Sequence, residues 1–177
     1  AGNGLALSSR NAYLTEPEVT GILVGYPIIP GTPDSMFVAN NKIGGFFCQP
    51  DSTNYQETRL RGIYVPYQTA GHVTIEKNFI GSHTVPRSMY SEIYIGSYGT
   101  KAIEVENFTS STRNYISENV IENIHGPANA IDISHGLSFI YMNRISHLTG
   151  GGSTGIRLSF CDRTTVVSRN TISNFIS

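Results

Sequence analysis

The chain has 177 residues, 14% of them charged, and a formal net charge of −1; this length indicates a single domain. Its 12 Lys and Arg residues are scattered along the sequence, which argues against a nucleic-acid partner. No apolar stretch approaches the roughly 18 residues that a membrane-spanning helix needs, so we expect no membrane partner.

Residues 1–19 contain Gly, Asn, Ser, Arg and Pro and predict a loop or a partial cap. Residues 20–177 carry a pattern that recurs five times: an aliphatic residue, two further positions, an Asn, one position and an Ile. The Asn residues of these copies are Asn41, Asn78, Asn119, Asn143 and Asn170. A second, interleaved pattern has a small residue, Ile, any residue and an aliphatic residue, and its copies begin at Gly21, Gly62, Ala102, Ala130 and Gly155. Repetition at this period indicates a solenoid.

Aliphatic residues alternate within both patterns, which predicts β-strands with one buried face. Strands this short cannot bury themselves, so each needs the same strand of the next copy about 4.8 Å away. Stacking of the copies then gives parallel, in-register sheets around an aliphatic core. The repeated Asn tolerates left-handed backbone angles and therefore suits a tight turn after its strand. Its stacked amides can hydrogen-bond from one rung to the next.

The spacing between successive Asn residues indicates where loops are inserted. The later spacings are 24 and 27 residues, whereas the earlier ones are 37 and 41, so the earlier coils carry insertions. The candidate insertions are 47–60 and 82–100. Insertions in repeat folds map to loops on one face, which is often the binding face.

These repeats resemble the right-handed parallel β-helix of the pectate-lyase-like superfamily, in which an Asn at one turn of each coil is a familiar feature. The resemblance implies an all-β solenoid of about five coils over residues 20–177. Lyases, hydrolases, epimerases and phage tailspikes share this fold, so the fold alone does not fix the function. The last repeat stops just after its turn, and no amphipathic capping helix is visible, so we expect a fragment that lacks its caps.

One outward column of the second pattern carries charge. Its members are Leu23, Tyr64, Glu104, Asp132 and Arg157, and the next outward positions are Gly25, Pro66, Glu106, Ser134 and Ser159. Glu104 and Asp132 lie on consecutive rungs, a spacing that suits the paired carboxylates of a glycosidase. Two such neighbours raise the pKa of one partner, which separates an acid from a base. The competing interpretation is a solvated ladder of charges that serves solubility.

Other side chains near this column are candidates for substrate contact. Arg157 can clamp a sugar carboxylate, and the full substrate-binding set is Tyr64, Arg157, Glu106, His135, Asp162 and Arg163. We expect no cofactor and no metal, although Glu104, Glu106 and Asp132 form a candidate calcium site. A lyase would also need a Lys or Arg base, and the sequence does not assign one.

A second outward column is aromatic: Phe37, Thr74, Tyr115, Phe139 and Val166. Exposed aromatic residues need a partner. We favour a face covered by another subunit, as in a homotrimer, or by a loop of the chain itself, over a platform for sugar rings. Tyrosines in the insertions (Tyr55, Tyr67, Tyr90, Tyr94 and Tyr98) suit recognition of a neutral polar ligand.

The sequence thus predicts an extracellular or virion-surface module that recognises a polysaccharide and cleaves it as a hydrolase or lyase. The alternatives are a glycan-binding module without activity and a purely structural segment of a larger trimer. Two cysteines, Cys48 and Cys161, lie on different predicted rungs and are expected to be free thiols.

Overall fold

A computed structural model describes residues 18–24, 35–48, 59–68, 71–91, 99–107 and 111–176. All regular structure in these residues is β-strand. In chain order the strands are β1 (Glu18–Leu23), β2 (Ser35–Ala39), β3 (Lys42–Ile43), β4 (Phe46–Cys48), β5 (Arg59–Gln68), β6 (His72–Glu76), β7 (Phe79–Gly81), β8 (Met89–Ser91) and β9 (Thr100–Asn107). They continue with β10 (Arg113–Ser117), β11 (Val120–His125), β12 (Ala128–Ser134), β13 (Leu137–Tyr141), β14 (Arg144–Thr149), β15 (Thr154–Ser159), β16 (Val166–Ser168) and β17 (Thr171–Ile176).

The strands form three stacks of parallel neighbours. Sheet I has the order β1-β5-β9-β12-β15, sheet II the order β2-β6-β10-β13-β16, and sheet III the order β3-β7-β11-β14-β17. Two further strands extend sheet III, since β8 pairs with both β4 and β11. The chain visits the three sheets in turn, so the expectation of an all-β, solenoid-like stack of parallel sheets is confirmed. The proposed loop or partial cap at 1–19 lies almost wholly outside the described residues.

The core consists of inward columns of isoleucine. Sheet I contributes Ile63, Ile103 and Ile131, sheet II contributes Ile75, Ile116 and Ile140, and sheet III contributes Ile80, Ile121 and Ile145; all nine are fully buried. Each column is in register from strand to strand. Full burial of one such side chain stabilises the fold by about 1.5–3 kcal/mol, and only stacking of the rungs achieves it.

The predicted asparagine ladder is present at the corner between sheets II and III. The Nδ2 group of each Asn donates to the Oδ1 atom of the Asn one rung further along the chain, over 2.9–3.0 Å, through all five ladder residues. The same Oδ1 atom also accepts the backbone N–H of the preceding ladder residue at 3.0 Å. Because the inner members Asn78, Asn119 and Asn143 are buried, these bonds satisfy polar groups that water does not reach.

The turn at this corner differs from the prediction in one respect. The left-handed residue is not the ladder Asn but the residue before it, with φ between 54° and 59° at Asn40, Lys77, Glu118, Met142 and Arg169. The left-handed residue turns the chain, and the Asn that follows lies at the corner with its amide buried in the ladder. The Asn therefore recurs because its place at the corner lets its amide join the ladder, and not because it tolerates left-handed backbone angles.

A second left-handed column interrupts sheet III. Asn123, His147 and Asn174 occupy equivalent positions in β11, β14 and β17, with φ of 55–56°. The strand pairings on either side skip the equivalent residue on both partners, so the strands bend here without a change of register. We call Asn123, His147 and Asn174 the bulge column.

The segment 82–88 takes the place of this bulge residue one rung earlier, within the candidate insertion 82–100. Gly81 pairs with β11 before the bulge and Met89 pairs with it after the bulge. Gly81 has a φ of 107°, and a Cβ atom there would lie 1.7 Å from a backbone oxygen, so this position accepts only glycine. Most of the other candidate insertion, 47–60, lies outside the described residues.

Candidate functional site

The charged outward column of sheet I is in the predicted register. Leu23 pairs with Tyr64, Tyr64 with Glu104, Glu104 with Asp132, and Asp132 with Arg157. The prediction that these residues form one column is confirmed. The next outward positions follow in part: Glu106, Ser134 and Ser159 are in register, Pro66 lies where β5 is irregular, and Gly25 lies outside the described residues.

Glu104 and Asp132 are the central carboxylates of a network of ion pairs. Both carboxylates are almost fully buried, at 2% and 5% exposure. Glu104 contacts the guanidinium of Arg61 through Oε2 and the ammonium of Lys101 through Oε1. The same ammonium lies 2.9 Å from Oδ2 of Asp132. Buried carboxylates are costly unless they are paired, and here each one is paired with a cation.

Two further groups complete the contacts of Asp132. The Nδ2 atom of Asn129 donates to its Oδ2 atom at 3.1 Å, and the Nε atom of Arg157 lies 3.9 Å from its Oδ1 atom. The Arg157 side chain is 46% exposed, so it lies at the solvent end of the network. We call the network the sheet I strip: Arg61, Tyr64, Lys101, Glu104, Glu106, Asn129, Asp132 and Arg157.

The position of Lys101 bears directly on the acid–base hypothesis. In a glycosidase the interval between the two carboxyl groups holds the anomeric carbon or an attacking water. In this chain the ammonium of Lys101 occupies that interval and contacts both carboxylates. The two carboxylates therefore hold a cation in place. Their assignment as acid and base stays a prediction.

Tyr64 is held within the strip by two contacts. Its hydroxyl donates to Oε2 of Glu106 at 2.6 Å, and the guanidinium carbon of Arg61 lies 3.9 Å from the centre of its ring. Burial, and then the hydrogen bond to Glu106, raise the pKa of the Tyr64 phenol well above its ordinary value. Tyr64 is thus a neutral hydrogen-bond donor that fixes the Glu106 carboxylate.

The remaining predicted contact residues lie apart from the strip. His135 follows β12 with a φ of 62° and stacks on Phe160 at 5.2 Å between ring centres. Asp162 accepts hydrogen bonds from the hydroxyl and backbone N–H of Thr164, and these lower the pKa of its exposed carboxyl. Arg163 is exposed in the same turn. Among the described residues, no hydrogen bond or ion pair joins these three to the strip.

Metal ligation finds no geometric support in the described ranges. No group of three or more His, Cys, Asp and Glu side chains is placed there to hold a metal ion. The calcium site suggested for Glu104, Glu106 and Asp132 would need three free carboxylates, and all three are engaged by side chains of the protein.

The aromatic column on sheet II is also in register. Phe37, Thr74, Tyr115, Phe139 and Val166 lie side by side on consecutive strands. The rings of Tyr115 and Phe139 are 5.1 Å apart and nearly parallel, and Phe37 is 66% exposed. The column therefore forms a continuous row on the outer face, in which Thr74 lies among aromatic and aliphatic side chains.

Of the tyrosines predicted to lie in the insertions, the structure describes the side chain of one, Tyr90. Tyr90 is buried, so it does not present a binding surface. Tyr55, Tyr94 and Tyr98, and the side chain of Tyr67, lie outside the described residues. Cys161 is a free thiol, and the side chain of Cys48 also falls outside the described part of the chain.

Sequence analysis missed Arg61, Lys101 and Asn129, and the reason is a local break in strand periodicity. Strict alternation would turn Lys101 to the face opposite Glu104. The pairings of sheet I skip the small residue that opens each second pattern, for example Ala102 and Ala130. Because the strand is irregular at this position, the Lys101 side chain lies on the outer face together with that of Glu104. The recurrence of a small residue directly after each of these polar residues is the signal that could have revealed them.

Comparison with models of known protein families, with curated proteins and with solved structures found no match. Within the described ranges, no helix is long and apolar enough to cross a membrane.

Proposed function

We propose that this chain is a polysaccharide-recognising segment of a right-handed parallel β-helix of the pectate-lyase-like type, with about five coils. In this proposal the members of the sheet I strip that reach solvent (Lys101, Glu106, Asn129 and Arg157) contact the glycan, and its buried members hold them in place. The observation that best supports this proposal is that buried Glu104 and Asp132 hold Lys101 and Arg157 in a fixed row. Hydrogen-bonding groups that are fixed before the ligand arrives lose less entropy on binding.

The geometry of the strip suits an extended polar ligand. Its residues occupy four consecutive strands of sheet I, or three spacings of about 4.8 Å, which matches the length of a short oligosaccharide. The three cations of the strip (Arg61, Lys101 and Arg157) balance its three carboxylates (Glu104, Glu106 and Asp132). A strip without net charge and rich in fixed donors and acceptors suits the hydroxyl groups of neutral sugars.

The same contacts favour recognition over cleavage. A general acid must carry a proton to the leaving group and a base must be free to accept one. Lys101 contacts both carboxylates, and Arg61 contacts the more deeply buried one. We therefore propose binding without turnover, and place hydrolysis or elimination by Glu104 and Asp132 second. A homotrimer and an extracellular or virion-surface location stay predictions.

Binding to immobilised polysaccharides tests this function. The panel comprises bacterial capsular, O-antigen and plant polysaccharides, measured by biolayer interferometry. We expect at least one to bind the wild type, and Arg157→Gln to weaken that binding about tenfold, the loss of one charged hydrogen bond in a binding site. The Arg157 side chain is about half exposed, so the substitution should leave the fold intact.

The matched control is Arg113→Gln, another exposed arginine, on sheet II. It should bind as the wild type does. The function is overturned if no polysaccharide binds, or if the two variants lose affinity equally.

A further inference from the structure

A second candidate binding site lies on sheet III, remote from the strip and sharing no residue with it. A pocket of about 340 Å³ opens beside the bulge column, lined by Pro86, Arg87, Asn123, His125, His147, Thr149 and Gly150. This volume falls at the small end of the range for ligand pockets, which corresponds to about one sugar unit.

Most of the lining surface of this pocket is apolar, and its polar groups are cationic or neutral. Arg87 supplies a permanent positive charge, and no carboxylate belongs to the lining. The nearest acidic residue along β11, Glu122, is engaged by Arg144 and by His83. Arg87 makes no ion pair with any described residue; its guanidinium carbon lies 5.5 Å from the ring centre of Tyr90. A guanidinium in this state is suited to a carboxylate or a sulfate, which it can bind through two parallel hydrogen bonds.

The two imidazoles of the lining are held by neighbours. The Nδ1 atom of His125 lies 2.6 Å from the Thr149 hydroxyl, and its ring packs 4.8 Å from that of Tyr90. The Asn174 amide nitrogen lies 3.3 Å from Nε2 of His147. When this amide donates to Nε2, the proton of a neutral His147 ring lies on Nδ1, which is then a hydrogen-bond donor.

The loop that carries Arg87 is held at both ends by one residue of β11, Asn123, and its His83 also contacts Glu122 of the same strand. The Nδ2 group of Asn123 donates to the Ser82 carbonyl at 2.6 Å, and the Asn123 carbonyl accepts the Ser88 backbone N–H at 2.9 Å. Both ends of segment 82–88 are therefore tied to the bulge column. Arg87 itself has a φ of 55°, a conformation that residues other than glycine seldom adopt and that concentrates at functional positions.

The geometry points to an anion-binding pocket in which Arg87, with His125, His147 and Asn123, receives the carboxylate or sulfate of an acidic monosaccharide unit. The inference does not depend on the sheet I strip. We expect the pocket to select its ligand by the charged group of the sugar and not by the sugar hydroxyls alone.

Titration calorimetry on the full chain tests the pocket with three probes: sodium glucuronate, glucose and sodium sulfate. We expect glucuronate to bind at one site and glucose to bind at least tenfold more weakly. Arg87→Gln should weaken glucuronate binding at least tenfold, and Arg87→Lys, which keeps the charge but not the paired donors, should weaken it less. Arg113→Gln, an exposed arginine elsewhere, should bind glucuronate like the wild type.

Each contrary result overturns a stated part of the inference. Equal binding of glucose and glucuronate, or undiminished glucuronate binding by Arg87→Gln with an unchanged melting temperature, overturns anion recognition. Sulfate that binds as tightly as glucuronate overturns the assignment to a sugar unit. Sulfate that competes but binds more weakly supports both the anion and the sugar contacts.

Discussion

Asn119→Ala should destabilise this fold far more than the same substitution at Asn41, although both residues belong to one ladder. The Asn119 side chain is fully buried. Its Oδ1 atom accepts the backbone N–H and the Nδ2 group of Asn78. Its Nδ2 group donates to Asn143 and to the carbonyl of Ile75. Alanine removes all four bonds at once.

The magnitude follows from the number of bonds and their access to water. At about 1 kcal/mol net for each buried hydrogen bond, the loss at Asn119 amounts to about 4 kcal/mol. Asn41 only donates, to Asn78 and to the carbonyl of Ala39, and it is half-buried. Water can replace those bonds, so its loss should be about 1 kcal/mol.

Urea unfolding followed by far-ultraviolet circular dichroism measures the difference. With a slope of about 2 kcal/mol per molar urea, the midpoint should fall by about 2 M for Asn119→Ala and about 0.5 M for Asn41→Ala. A third variant, Asn119→Asp, keeps the size and the acceptor but replaces the donor by an oxygen that faces two other oxygens. It should be at least as unstable as the alanine variant.

Two results would refute this reasoning. Equal midpoints for the two alanine variants would show that burial of the ladder bonds does not matter. A stable Asn119→Asp protein would show that donation by Nδ2 does not matter.

The remaining predictions concern single groups that are buried or partly buried. Burial and the bond to Glu106 raise the pKa of Tyr64, so its contribution to stability is complete below the ordinary tyrosine pKa of about 10 and declines as the pH rises above it. Tyr64→Phe should therefore reduce the loss of urea midpoint between about pH 9 and 11, and an unchanged pH dependence would count against this account. Burial also raises the pKa of the Cys161 thiol, and only the thiolate is reactive. In a Cys48→Ser background, Ellman's reagent should modify the folded protein markedly more slowly than the urea-unfolded protein at pH 7.5, and equal rates would contradict this. The Thr112 hydroxyl is buried and has no hydrogen-bond partner among the residues that the structure describes, so Thr112→Val should leave the free energy of unfolding unchanged or raise it by up to about 1 kcal/mol. A clear loss of stability in thermal unfolding would show that this hydroxyl has a partner in solution.

The parts of the fold that repeat from rung to rung could be predicted from the sequence. A solenoid puts equivalent residues of successive copies next to each other, so a column such as Glu104–Asp132–Arg157 follows from alignment of the repeats alone. The ladder of Asn78, Asn119 and other members followed for the same reason.

Features that depend on departures from ideal geometry could not be predicted in this way. Lys101 reaches the outer face because the strand is irregular at Ala102, and simple alternation places it inside. The left-handed residue at the ladder corner is the one before the Asn, because the side-chain contacts of residues such as Asn119, and not their backbone tolerance, fix where the Asn lies. The loop that carries Arg87 is held by contacts from another strand, among them those of Asn123, and such contacts leave no trace in local sequence.

The most direct test of the central claim uses the polysaccharide that the wild type binds. The test measures the concentration of reducing ends in a solution of that polysaccharide. The protein is incubated with that polysaccharide beside a Glu104→Gln/Asp132→Asn double variant. Recognition without cleavage predicts no new reducing ends above the protein-free control and an unchanged polymer length. Release of reducing ends by the wild type and its loss in the double variant would contradict the account, and would show that the two carboxylates act as acid and base.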